Sequence, residues 1–163
     1  TTVKDDRGRQ TVLDVIGAKI KERIFPVGRL DRATTGLLIL TNDGDLAQKL
    51  AHPKHNVKKV YHVVLDKVVT EKDLEKIRKG IKLEEGIAQV DGVGHVKNAP
   101  KNEVGIELHL GWNRVIRRIF ESLNYEVKRL DRTYIAGLTK KDLPRGRFRH
   151  LSEREVIMLK HFI

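Results

Sequence analysis

Val104, Ile106, Leu108 and Leu110 alternate with Glu103, Gly105, Glu107 and His109, a period of two that predicts a strand with one buried face. The β-branched run at 60–65 reads as a second strand, and 127–132 as a third, with 134–138 passing from strand to turn. Residues 81–97 hold several glycines and two apolar patches, which predict two strands with turns. Residues 1–3 read as the end of a strand, with a charged turn over 4–10. Helical spacing takes over elsewhere. Val12, Leu13, Val15, Ile16 and Ile20 share one face of a helix over 11–20, which Gly17 weakens by about 1 kcal/mol relative to Ala. A short helix over 45–51 turns Leu46, Ala47 and Leu50 inward and stops at Pro53. Thr70 with Asp73 opens a helix that Gly80 closes, with Leu74 and Ile77 as its apolar contacts. Val115, Ile116, Ile119, Phe120 and Leu123 form one stripe of a further helix. Ser152 and Glu155 make a capping box for a last helix burying Val156 and Leu159.

Between these elements lie two short apolar runs, 24–27 and 37–40, bounded by Gly36 and by Asn42, Asp43 and Gly44. They read as strands joined by a polar loop that carries Arg29, Asp31 and Arg32. A carboxylate between two arginines at the lip of a sheet has its charge held in place. On residues alone, this is either a structural ion pair or a site, and structural pairs are the commoner of the two.

Composition narrows the field. The chain has 163 residues, enough for one domain with a real core. Its net charge of +11, from 33 basic and 22 acidic side chains, favours a polyanionic partner, nucleic acid ahead of an acidic membrane surface. No apolar run approaches the roughly 20 residues that span a bilayer. The absence of cysteine excludes disulfides, thiolate chemistry and cysteine-based zinc sites. His52 and His55 stand three apart with no further ligands at metal-site spacing. A glycoside hydrolase would need two carboxylates about 5 to 10 Å apart, and no second acid stands near Asp31 in sequence.

The polar loop and its flanks carry more than charge. Gly28-Arg29-Leu30-Asp31, then Thr35-Gly36-Leu37-Leu38 and Thr41-Asn42-Asp43-Gly44, resemble the signature of the RNA pseudouridine synthases, and most closely the RsuA/RluB/RluE/RluF branch that modifies ribosomal RNA. Lys59-Val60-Tyr61 is similar to that family's second motif. Asn113-Arg114-Val115-Ile116-Arg117-Arg118 is similar to its Asn-Arg-x-x-Arg-Arg helix, with Val115 where the family more often has Gln. Leu130 fits the family's Leu beneath the flipped base.

The resemblance covers nearly the whole chain and implies a set of roles. Asp31 is the catalytic carboxylate, Tyr61 lies against the target base, and Arg117 pairs with Asp31. Arg29, Arg32, Lys59, Leu130, Arg114 and Arg118 are expected to bind substrate, with Arg114 and Arg118 either on phosphates or plain surface charges. Asp131, in a second Leu-Asp-Arg at 130–132, sits between different flanks and is not expected to act in catalysis. The implied fold is α+β, the pseudouridine synthase fold: a curved, mostly antiparallel mixed sheet with flanking helices and a central cleft. Residues 1–163 are read as its catalytic domain, truncated at the N-terminus, with an upstream S4-type domain expected outside this chain. The implied reaction converts a uridine of ribosomal RNA, large-subunit RNA ahead of small, to pseudouridine on a flipped-out nucleotide. It uses no cofactor and no metal, in a cytoplasmic monomer whose partner is ribosomal RNA. The competing reading is a non-catalytic RNA-binding module of the same fold. Basic residues 140–149 are expected to hold RNA backbone.

Overall fold

The central strand of the molecule is β4 (Lys59–Leu65), paired antiparallel on one side with β8 (Glu103–Leu108) and on the other with β9 (Val127–Ile135). The computed structural model describes residues 12, 16 and 22–161. The strand end expected at 1–3, the turn at 4–10 and most of the helix over 11–20 lie outside the described residues. Val12 and Ile16 of that helix are helical, and Ile16 is buried.

Around β4 a six-stranded sheet runs β10 (Leu138–Thr139), β9, β4, β8, β7 (Gly92–His95), with β2 (Thr34–Gly36) joined to β9. Every pairing is antiparallel except β2 with β9, which is parallel. Two small ribbons flank the sheet: β1 (Phe25–Pro26) with β3 (Leu40–Thr41), and β5 (Ile81–Leu83) with β6 (Gly86–Ala88). The fold is therefore the α+β architecture that the resemblance implied, with helices α1 (Gly44–Ala51), α2 (Glu71–Lys79), α3 (Val115–Ser122) and α4 (Glu153–Lys160).

Local chemistry explains most of these boundaries. Asp43 caps α1 by accepting from the Leu46 N–H at 3.0 Å. Thr70 does the same for α2 through the Asp73 N–H, and Gly80 ends that helix at φ +104°. The capping box of Ser152 and Glu155 opens α4. In β8 the alternation places Val104, Ile106 and Leu108 in the core, where they meet Val63 and Leu65 of β4, Leu74 and Ile77 of α2, and Ile119 and Phe120 of α3. A second cluster joins Leu46 and Leu50 of α1 to Ile135, Leu138 and Leu159, with Val27 and Ile39 at its edge. That edge carries the polar loop.

Two expectations need correction. The run 37–40 was expected to be a strand, but pairing falls on the polar Thr34–Gly36, and only Leu40–Thr41 pairs beyond it. Ladder bonds belong to the backbone, and Gly36 lets β2 come so close to β9 that no side chain would fit between them. Residues 81–97 hold three short strands, not two, because β5 and β6 form their own ribbon apart from β7.

Candidate active site

The loop between β1 and β2 is fixed at both ends. Val27, buried, donates its N–H to Ile39 O at 2.7 Å, and Gly28 turns the chain at φ +71°, a conformation that favours glycine. At the far end the Thr34 N–H donates to Asp31 O at 2.9 Å, closing a turn. Asp31 is held at the lip of this turn with its side chain 38% exposed.

Facing it is a cleft of about 470 Å³. Asp31, Lys59, Tyr61, Arg114, Arg117 and Leu130 all line it, from the loop, β4, α3 and β9. Arg29 lines it as well. Tyr61 stands on β4, paired across to Ile106 and Arg132, with its ring against the main core. Its hydroxyl makes no hydrogen bond to a described residue. Leu130, buried, lies in register with Thr34 on one side and Val63 on the other, so it floors the cleft between the loop and Tyr61. Lys59 is half-buried with no acidic partner among the described residues. Burial, and then the charge of Arg132, hold its ammonium below the usual lysine range.

The arginines divide the work. Arg114 sits at the N-cap of α3 with φ +51°, and its Nη1 lies 4.0 Å from Asp31 Oδ2. Arg117 is buried, and its Nη2 donates to Ala33 O at 3.1 Å, two residues beyond Asp31. Its Nε has no partner among the described residues. The cleft thus presents several cations around one carboxylate, an arrangement suited to an anionic substrate with a reacting centre near Asp31.

A family model described as RNA pseudouridylate synthase matches residues 2–122. The chain belongs to this family. Among its relatives, ribosomal large subunit pseudouridine synthase B of Bacillus subtilis is 38% identical over 163 residues, covering 98% of this chain and 66% of the relative. An uncharacterized RNA pseudouridine synthase of Aquifex aeolicus is 39% identical over 153 residues, covering 93% of this chain and 61% of the relative. A solved structure, described as a crystal structure of pseudouridylate synthase, superposes with a TM-score of 0.73 at 28% identity, covering 83% of this chain and 59% of the other. The chain spans about three-fifths to two-thirds of the length of these relatives.

Within this family member, two expected contacts are not the ones observed. Arg117 was expected to pair with Asp31; the ion-pair partner of Asp31 among the described residues is Arg114, while Arg117 binds the loop backbone. The α3 register explains this. Arg114 precedes the helix and reaches the lip, whereas Arg117, three residues on, is buried. Arg118 is expected on a phosphate or as a plain surface charge. Its guanidinium is instead taken by both carboxylate oxygens of Glu85, at 2.7 and 2.6 Å, and by Asn113 O. That pair ties α3 to the β5–β6 ribbon. Arg32 is exposed and does not line the cleft.

Arg132 escaped the sequence reading. It is buried, and its Nε and Nη2 both donate to Leu37 O, at 2.9 and 2.7 Å. The signal was present: two residues after Leu130 on a strand, a side chain faces the same way, inward.

Proposed function

We propose that this chain converts uridine in ribosomal RNA to pseudouridine, with Asp31 as the acting carboxylate. The observation that carries this reading is the convergence of Asp31, Tyr61, Lys59 and Leu130 on one cleft beneath the loop. The reaction is an isomerisation. The N1–C1′ bond of the nucleoside breaks, the uracil rotates, and a C5–C1′ bond forms. The hydrogen on C5 leaves as a proton and N1 gains one, so no oxidant or group donor enters. The glycosidic bond is shielded inside a helix, so the nucleotide is flipped out of its stack. Leu130 and the Tyr61 ring then bracket the base, an apolar floor and an aromatic face of the kind unstacked RNA bases seek. Lys59, Arg29 and Arg114 supply charge for the phosphates on either side. Arg117 fixes the loop through Ala33 O, so that Asp31 meets the ribose and base at a constant place.

The names of the relatives favour the large ribosomal subunit as the source of the substrate. The test is release of tritium from protein-free 23S ribosomal RNA labelled at uracil C5. The intact chain is expected to release it, and Asp31→Ala to release none while binding the RNA with an unchanged Kd. Equal release by the variant overturns the assignment of Asp31. Binding without release by the intact chain leaves a non-catalytic RNA-binding module.

A further inference from the structure

The strip formed by β2, β9 and β4 has two faces, and only one looks into the cleft. Arg132 and Tyr61 point to that side. Asp131, His62, Val64 and Arg129 point to the other, where they floor a second and larger groove of about 1330 Å³. Its far wall is the segment 143–151, leading into α4.

That segment is built to stand where it does. The Leu143 N–H donates to Lys140 O at 3.0 Å and the Arg147 N–H to Pro144 O at 3.1 Å, around Gly146 at φ +80°. Lys140 is paired with Asp131, which Thr35 Oγ1 also binds at 2.7 Å. Arg149 holds both carboxylate oxygens of Glu155, at 2.8 and 2.7 Å. These two cations are consumed in fixing the wall. Arg145, Arg147 and Arg129 line the same groove, and among the described residues they have neither acid nor acceptor. Phe148 lines it too, half-buried, with its ring edge-on to His150 at 6.0 Å. Free cations beside an aromatic ring are what a single strand of nucleic acid binds, phosphates to charge and bases to ring.

The groove and the cleft meet at the loop. Leu30, Asp31, Thr34 and Leu130 line both. Arg29 lines both and Arg32 the groove alone, so cations continue along the lip from one cavity to the other. We infer that this groove holds the single-stranded RNA flanking the target nucleotide, whose base crosses the lip of the loop into the cleft. The inference rests on the function proposed above, and it assigns Arg145, Arg147 and Phe148 to RNA binding rather than to chemistry.

The test uses the full chain with fluorescein-labelled oligouridylates of two lengths, one of 5 nucleotides to fill the cleft and one of 15 to reach the groove. Anisotropy titrations run from 50 to 200 mM KCl. The 15-mer is expected to bind the intact chain more tightly and with the steeper salt dependence. In R145A/R147A the slope of log K against log salt for the 15-mer should fall by about 1.4, from two lost charges at about 0.7 each on single strands. The Kd of the 5-mer should not change. Phe148→Ala should weaken the 15-mer about tenfold, and Phe148→Trp should restore it. Melting curves confirm that the variants fold. A 15-mer that binds R145A/R147A as it binds the intact chain, at every salt concentration, overturns the inference while leaving the chemistry intact. Length-dependent binding that these variants abolish, in a chain that releases no tritium, keeps the groove and removes the chemistry.

Discussion

Gly36→Ala tests whether the placement of Asp31 depends on how closely β2 lies against β9. Gly36 pairs with Arg132 in the parallel register at φ +114°. A Cβ added there falls 2.3 Å from Arg132 O, 2.4 Å from its N and 2.8 Å from its C. Ordinary contact begins near 3.4 Å, and all three atoms are backbone, so β2 must retreat by about 1 Å. Such a retreat stretches the Leu37 N–H to Arg132 O bond from 2.9 Å, and the paired donation from the Arg132 guanidinium to Leu37 O with it. Two or three weakened bonds at about 1 kcal/mol each, with about 1 to 3 kcal/mol for a side chain forced into that φ, total about 3 to 6 kcal/mol. For a domain of this size each kcal/mol lowers Tm by about 2 to 4 °C, so the expected fall is about 6 to 24 °C.

The assays are calorimetric melting and tritium release from C5-labelled ribosomal RNA. Because the Thr34 N–H is bonded to Asp31 O, movement of β2 carries the loop with it. A misplacement of about 1 Å at a reacting group costs on the order of a hundredfold in rate, so activity should fall well before the protein unfolds. Gly94→Ala is the control. It lies on β7 with no atom within 4 Å of its added Cβ, and should leave both Tm and rate unchanged. A Gly36→Ala chain that melts within 2 °C of the original, at full rate, would refute the close-packing argument.

Lys59→Met should raise Tm at neutral pH and weaken RNA binding, because it removes a half-buried ammonium opposed by burial and by Arg132. The folded form of Lys59 gives up its proton before the unfolded form does at 10.5, so the unfolded chain binds more protons in the window just below that value. Stability from this group therefore rises with pH there, and urea melts of Lys59→Met should lose that rise. Arg118→Ala should lower Tm while leaving the RNA Kd unchanged, since its guanidinium is engaged by Glu85; a weakened Kd with unchanged Tm would return Arg118 to the phosphates. Arg149 and the Ser152 backbone hold the Glu155 carboxyl down at about 2, so its contribution is complete above 4.5 and is lost as pH falls toward 2. Glu155→Gln should flatten that part of an acid-unfolding curve.

The elements that could be read from sequence are those whose ends carry their own chemistry. Thr70 and Gly80 bracket α2, and Ser152 and Glu155 open α4, because caps are made within a few residues. The alternation of β8 and the stripe of α3 were legible because burial acts on side chains at a fixed period. What could not be read depends on partners far along the chain. Thr34–Gly36 has no strand pattern of its own and pairs because β9 lies beside it, about 95 residues away. Glu85 claims Arg118 across 33 residues, and nothing around either one announces it. The site residues were named through the resemblance. Their contacts were not, since whether Arg114 or Arg117 reaches Asp31 turns on one helical turn.

Two buried guanidiniums, Arg117 and Arg132, have no carboxylate partner among the described residues, and each ends on a carbonyl. The carbonyls are those of Ala33 and Leu37, the residues immediately before and after β2. A strand of three residues has little hold of its own, and these two arginines clamp it at both ends, from α3 on one side and from β9 on the other. A buried charge bonded only to a neutral acceptor is a costly way to fasten a strand, and an apolar side chain of similar volume would often serve stability better. The expense is consistent with a site that receives a polyanion. The same cations that pin the segment after Asp31 leave the cleft with unbalanced positive charge, which the phosphates of the proposed RNA substrate would offset. On the proposed function, rigidity of the loop and attraction for RNA come from one pair of side chains, and neither requires a second acid beside Asp31.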